Sequence, residues 1–136
     1  MPELPLVSLI TPAFNAAPVI EEALQSVRDQ SFRNFEALIV DDGSTDDTAV
    51  RVRKVCAADA RFHLISQPHA GLPFARNAAV AKTRGEFIAF LDADDVWLPE
   101  KLGRQMEVFD QDARANFSYT NFYFWDGARD LSAYYR

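Results

Sequence analysis

Two short stretches hold most of the side chains that could do chemistry: Asp92-Ala93-Asp94-Asp95 and Asp41-Asp42-Gly43-Ser44. Alternate residues of a strand project to one side, so Asp92 and Asp94 fall together if they continue the apolar run before them. At ~4 Å two carboxylates repel by about 4 kcal/mol at an effective dielectric near 20. A hard divalent cation, Mg²⁺ or Mn²⁺, prefers carboxylate oxygens, relieves that repulsion and can hold a diphosphate. The competing reading is a solvated segment whose aspartates cap the next turn of the chain. Asp41 could accept a hydrogen bond from a ring N–H or a hydroxyl of a nucleoside, although Asp-Gly-Ser is also ordinary turn chemistry.

Other residues carry weaker signals. Phe14, in Pro12-Ala13-Phe14-Asn15, is either a core plug or a ring on which a flat base stacks. Arg76, near a helix start, suits phosphate recognition or is a plain surface arginine. His63 reads as structural and His69 as a rim residue at best. Cys56 has no neighbouring motif that would make it a nucleophile. The chain has no Gly-x-Gly-x-x-Gly and no Gly-Lys-Ser/Thr, so the dinucleotide and P-loop signatures are missing.

These residues need elements to position them. Apolar runs predict strands over 6–11 (closed by Pro12), 35–40, 61–66, 87–91 and 117–125. The 87–91 run is the most apolar and reads as a buried strand. Helical spacing predicts helices over 18–30, 46–58, 74–83 and 99–110. Ser44 or Thr45 is the expected cap of the second helix, and Gly85 the left-handed cap after the third. Asp126-Gly127 reads as a turn. Alternating strands and helices imply an α/β fold, a mostly parallel sheet flanked by helices on both faces. Such sheets bind ligands beyond the carboxyl ends of their strands. Both aspartate clusters and Pro12-Ala13-Phe14-Asn15 come after strands, so all three are expected at one end of the sheet. With no repeat or linker, the chain reads as one unit.

Composition narrows the classes. Of 136 residues 49% are apolar and 25% charged, a composition that folds rather than stays disordered. No apolar run approaches the roughly 20 residues of a membrane-spanning helix. Glu3 and Pro5 stand where a signal peptide would be apolar. A single cysteine fits a reducing compartment, so a cytoplasmic location is expected. The net charge of −6 argues against a nucleic-acid partner.

Taken in order, several stretches resemble glycosyltransferase family 2, the nucleotide-sugar-dependent enzymes of the GT-A, Rossmann-like fold. They are Val7-Ser8-Leu9-Ile10-Thr11-Pro12-Ala13-Phe14-Asn15, Val40-Asp41-Asp42-Gly43-Ser44, Ala75-Arg76-Asn77, Gly85-Glu86-Phe87-Ile88-Ala89-Phe90-Leu91-Asp92-Ala93-Asp94-Asp95 and Pro99-Glu100-Lys101-Leu102. The resemblance covers roughly residues 6 to 110. It implies that Pro12 and Phe14 line a base pocket and that Asp41 accepts from the base, most often uracil. Asp42 would support that loop or the ribose, and Arg76 would lie near the base or diphosphate. Asp92, Ala93 and Asp94 would be the family's D-x-D, with Asp94 the first choice of metal ligand and Asp92 at the ribose or metal. Asp95 would order the following turn. Phe14 departs from the commoner Tyr and loses its hydroxyl.

The implied reaction is inverting transfer from a nucleoside diphosphate sugar, a UDP-sugar in the first instance, assisted by Mn²⁺ or Mg²⁺. The implied acceptor is a saccharide or a lipid-linked molecule, with possible peripheral attachment to the inner face of the membrane through regions outside this chain. The family's catalytic base comes well after the D-x-D, and Glu100 and Glu107 do not occupy its place. Eight of the 17 aromatic residues fall in 117–135 and need something to pack against. The expectation is therefore a truncated domain with the donor site and without the acceptor half. Two alternatives stand beside it. One is a non-catalytic nucleotide-sugar-binding module. The other is a haloacid-dehalogenase-type phosphohydrolase, whose Asp-x-Asp-x-Thr/Val pattern Asp92-Ala93-Asp94-Asp95-Val96 resembles but which normally comes after the first strand.

Overall fold

The computed structural model describes residues 4–124 and divides the chain into two units, Met1–Gly103 and Arg104–Arg136. The first unit holds strands β1 (Val7–Ala13), β2 (Phe35–Asp41), β3 (Phe62–Ser66) and β4 (Phe87–Phe90). It also holds helices α1 (Ile20–Arg28), α2 (Thr48–Ala58) and α3 (Leu72–Val80), and the start of α4 (Lys101–Gln111). The strands form one parallel sheet in the order β3-β2-β1-β4.

Right-handed crossovers decide which face each helix covers. The steps from β1 to β2 to β3 run one way, and α1 and α2 pack together on one face. The return from β3 to β4 carries α3 to the other face. There Ala75 and Ala79 pack on Ile10, Leu38 and Val40, with Ile65 alongside. The chain thus forms the expected α/β sheet with helices on both faces. Its strand order reverses between β1 and β4, the point at which open parallel sheets bind ligands.

The strand does not stop at Pro12. Even-numbered β1 residues turn their backbone toward β4, since Phe87 N–H donates to the Leu6 carbonyl and Leu91 N–H to that of Ile10, both at 3.0 Å. Pro12 belongs to that set, but pairing with β4 ends at Ile10–Phe90. No ladder bond is lost through the missing N–H. On the other edge Ala13 keeps its bond from Asp42 N–H at 2.9 Å. The expectation for β4 also fails. Although apolar, it is an edge strand among the described residues, with Ile88 42% and Phe90 51% exposed. An apolar run identifies a strand without saying where in the sheet it lies.

Gly85 is not a left-handed cap. The helix before it ends at Val80, and the described glycines with positive φ are Gly43 and Gly71. A Cβ on Gly85 would lie 2.6 Å from the Ser8 backbone nitrogen, so close approach to β1 is what demands glycine. A buried polar cluster sits at this junction. Ser8 Oγ donates to Glu36 Oε1 (2.6 Å) and accepts from Gly85 N–H (2.8 Å). Glu36 also accepts from the Arg84 backbone N–H (2.8 Å) and from its Nε (2.7 Å). Burial opposes the charge on Glu36, but the bonds from Ser8 and Arg84 outweigh it and hold the carboxyl below the usual glutamate value.

The chain beyond Asp95 is also anchored. Gln30, fully buried, donates from Nε2 to the Leu98 carbonyl (2.7 Å) and accepts at Oε1 from Leu102 N–H (2.9 Å). Ser26 Oγ accepts from Trp97 N–H (3.1 Å), and Ser31 N–H donates to the Pro99 carbonyl (2.8 Å). Residues 97–102 are thereby pinned to the end of α1 and the turn after it.

In the second unit α4 ends at Gln111, and Gln105 Nε2 donates to Ser118 Oγ (2.9 Å). No strand forms over 117–124. Aromatic residues favour a strand only when a neighbouring strand gives them a surface to pack on. Phe117 instead stacks on Tyr119, and Phe122 meets Phe124 edge-on. Trp125 and the Asp126-Gly127 turn lie outside the described residues. Among the described residues no helix is long and apolar enough to cross a membrane.

Candidate functional site

The loops leaving β1, β2 and β3 are laced together at the carboxyl end of the sheet. Asn15, at φ +48°, donates its N–H to Ser44 Oγ (3.0 Å) and accepts at Oδ1 from Thr45 N–H (2.8 Å). Ala16 N–H donates to Thr48 Oγ1 (2.8 Å) and Ala17 N–H to Asp46 Oδ2 (3.1 Å). Ser44 and Thr45 therefore do not cap α2. That helix opens at Thr48, whose N–H is taken by Asp46 Oδ1 (2.9 Å), and its first turn holds no acidic residue. The Thr48 hydroxyl is the main cause of a lowered Asp46 pKa, as its bond favours the carboxylate.

Asp42 is the hub of the third loop. Its buried carboxylate accepts at Oδ1 from Gln67 Nε2 (2.6 Å) and Ala70 N–H (3.0 Å), and at Oδ2 from Gly71 N–H (2.8 Å). Oδ2 also lies 2.9 Å from His69 Nδ1. Burial resists ionisation here, yet these bonds prevail and the pKa is lowered. Asp41, also buried, accepts at Oδ1 from Ser44 N–H (3.1 Å). Among the described residues no hydrogen bond occupies its Oδ2. Asp41, Asp42, Asp46 and Asp47 are thus not gathered as one cation site, because Asp42 and Asp46 are spent on organising loops.

Gly43 sits between these parts at φ +75°, and a Cβ there would fall 2.6 Å from the His69 backbone nitrogen. Gly43→Ala is expected to destabilise the fold by about 1–3 kcal/mol through left-handed strain, with the clash adding to it. Urea unfolding checks this, and an unchanged midpoint would contradict the close approach. Above this loop Phe14, 46% exposed, lies against the His69 ring with centroids 4.2 Å apart and planes tilted by 31°. Pro12 is buried at the end of β1.

A second group gathers where β4 ends. Residues 92–95 are a turn and not an extension of the strand, with Asp95 N–H donating to the Asp92 carbonyl (3.1 Å). Strand alternation therefore does not bring Asp92 and Asp94 together; both lie in the turn, within electrostatic reach of Asp95. Arg76, on α3, pairs through NH2 with Asp92 Oδ1 at 2.8 Å, and its guanidinium carbon lies 5.8 Å from the centre of the Phe90 ring. Its Nε is buried and has no hydrogen-bond partner among the described residues. Burial and then the charges of Asp94 and Asp92 push the Asp95 carboxyl up. Asp92, Asp94 and Asp95 are exposed and Ala93 is half-buried.

Among the described residues no three His, Cys, Asp or Glu side chains are grouped as a metal site. What the turn offers is a partial set of hard oxygen donors under mutual repulsion. That suits a Mg²⁺ or Mn²⁺ ion that takes its remaining ligands from a diphosphate and water. Pro12, Phe14, Asp41, Asp42, Arg76 and the Asp92-Ala93-Asp94 turn all lie at this end of the sheet. Gln67 and His69 join them without a sequence signal, because a polar loop residue carries no period or motif that separates a structural role from a solvated one.

Residues 8–133 match the family model described as Glycosyl transferase family 2. The chain is 38% identical over 118 residues to an Escherichia coli protein, UDP-Glc:alpha-D-GlcNAc-diphosphoundecaprenol beta-1,3-glucosyltransferase WfgD, covering 86% of this chain and 46% of that one. Among solved structures, S. aureus TarS 1-349 in complex with UDP-GlcNAc is 30% identical with a TM-score of 0.71, covering 77% of this chain and 31% of that one. The mannosyltransferase PcManGT from Pyrobaculum calidifontis, in complex with GDP-Man and Mn²⁺, is 29% identical with a TM-score of 0.73, covering 79% of this chain and 33% of that one. The chain spans about half the length of the curated relatives it matches.

Proposed function

The chain belongs to glycosyl transferase family 2, and from that premise we propose that the carboxyl end of its sheet is the donor site of a nucleotide-sugar-dependent transferase. The observation that carries the reading is the juxtaposition there of an exposed ring, a buried acceptor carboxylate and the Arg76–Asp92 pair. In this reading Phe14 stacks on the base at the end of β1, where Pro12 borders the pocket. Asp41 accepts from the base at Oδ2, and Asp42 acts through the loop it holds. Arg76 exchanges Asp92 for the diphosphate, a planar donor suited to phosphate oxygens. Asp92, Ala93 and Asp94 form the D-x-D turn that meets the cation and the diphosphate.

Mn²⁺ or Mg²⁺, held by Asp94 with Asp92, would supply Lewis-acid stabilisation of the leaving diphosphate. The chain's own residues bind and orient the donor. Inverting transfer also needs a base to take the acceptor's hydroxyl proton. We place that base, with the acceptor surface, in the half of the relatives that this chain does not match, and read residues 1–136 as the donor-binding part of a GT-A domain. The acceptor is then a saccharide or a lipid-linked molecule, at the cytoplasmic face of a membrane. UDP is the first nucleotide to test, as TarS was crystallised with UDP-GlcNAc.

Calorimetric titration tests the reading. UDP is expected to bind this chain, and Mn²⁺ to tighten binding by about tenfold, or 1.4 kcal/mol. No UDP binding under either condition would refute the donor site. The chain alone is expected to transfer no sugar from a UDP-sugar to a saccharide acceptor. Robust turnover would refute the donor-only assignment.

A further inference from the structure

We propose that His69 is a positioning residue of the donor site: locked by Asp42, its imidazole fixes the Phe14 ring as the platform for the nucleotide base. The inference rests on the donor-site reading above. Phe14 lies in a loop and is half-exposed, so the core does not set its ring plane. The ring it meets is that of His69, at 4.2 Å between centroids. His69 is itself held with little slack. Its Nδ1 is 3.1 Å from the Asp42 carbonyl oxygen and 2.9 Å from Asp42 Oδ2. Both of those atoms are acceptors, so Nδ1 carries the proton, and the two contacts tether the ring at that atom beside Phe14.

The backbone is held as firmly. His69 N sits where a Cβ on Gly43 would collide, and the next two N–H groups, of Ala70 and Gly71, both donate to Asp42. Positional information thus runs from the end of β2 through Asp42 to His69 and on to Phe14. A solvated rim histidine would need none of this. Without the imidazole, Phe14 must be ordered by the base itself, and that ordering costs affinity.

The test compares UDP with inorganic pyrophosphate, each titrated in Mn²⁺ on the full chain, with folding checked by circular dichroism. His69→Ala is expected to weaken UDP by about tenfold and to leave pyrophosphate within about twofold. His69→Ala added to Phe14→Ala should cost little more than Phe14→Ala alone, because His69 acts through that ring. His69→Phe, which restores a stacking face without the Nδ1 bonds to Asp42, should recover only part of the loss. Unchanged UDP affinity in His69→Ala would overturn the inference, as would an equal loss of pyrophosphate or additive losses in the double variant. A wild-type chain that binds pyrophosphate with Mn²⁺ but not UDP would instead remove the base-side reading itself. The unmodified protein gives an independent check by NMR. The Phe14–His69 ring contact should persist when UDP binds, with the uracil protons shifted upfield by Phe14. Loss of that contact on binding would overturn the proposal even if the variants fail to fold.

Discussion

Asp94→Ala is expected to abolish the Mn²⁺ dependence of UDP binding and, on the proposal that this donor part works with an acceptor half, to lower sugar transfer about a thousandfold. That magnitude corresponds to several kcal/mol of charge stabilisation on the leaving diphosphate. The structure separates the two candidate ligands by their surroundings. Asp92 already faces a counter-charge, the Arg76 guanidinium at 2.8 Å. Among the described residues no ion pair engages Asp94, so its oxygens are the more available to a cation. Asp94 is exposed in a turn that is anchored downstream by Gln30 and Ser26. The substitution should therefore leave stability almost unchanged. Asp92→Ala should behave differently. It frees Arg76, weakening the cation site while leaving the guanidinium open to the diphosphate, and so should lower Mn²⁺-dependent binding only in part. If Asp92→Ala abolishes the Mn²⁺ effect and Asp94→Ala spares it, the two roles are reversed. Calorimetry with and without Mn²⁺ reads this separately from turnover.

Glu36→Ala is expected to destabilise the first unit by about 2–3 kcal/mol through the buried hydrogen bonds it removes, since the half-exposed Arg84 side chain can turn to solvent. Glu36 is only 2% exposed. Its removal leaves the Ser8 hydroxyl proton without its buried acceptor and the Arg84 N–H with only its longer bond to Ser8 Oγ (3.2 Å). Glu36→Gln keeps the shape but not the charge, and should lose less. The two variants also differ from wild type in how acid affects them. The folded carboxyl titrates below its unfolded value. Its contribution is therefore complete above the unfolded glutamate pKa and is lost as the pH falls through the lower, folded one. Wild type should lose stability across that acid window relative to Glu36→Gln, so the gap between them narrows. A constant gap from neutral pH downward in denaturant melts would rule out ionised Glu36 as the source. Asp42, also lowered, adds a loss of the same sign in both proteins.

Much of the architecture was legible in the residues. The alternation of apolar runs and amphipathic stretches specified a parallel sheet with helices on both faces, because periods of 2 and 3.6 are local properties of a chain. Aspartates placed directly after apolar runs marked the candidate site, since in such a sheet the residues just after each strand lie at its carboxyl end. The ordered motifs identified the family. What failed was whatever depended on a neighbour distant in sequence. Gly85 reads as a helix stop, but its reason is Ser8, across the sheet. The run at 87–91 reads as a buried strand, yet strand order puts it at an edge among the described residues.

The four aspartates at 41–47 show the same division most plainly. Composition presents them as one negative cluster. The fold turns Asp42 toward the 67–71 loop and Asp46 toward Ala17 and Thr48, leaving Asp41 Oδ2 without a hydrogen-bond partner among the described residues. The sequence by itself determined the elements, their order and the end of the sheet where chemistry could occur, all of which stem from local periodicity and connection rules. Only the tertiary structure decided which carboxylates are free for a ligand and that His69 stands against Phe14. A hydrogen bond needs its partners within about 3 Å, and folding alone brings residues 42 and 69, or 76 and 92, that close.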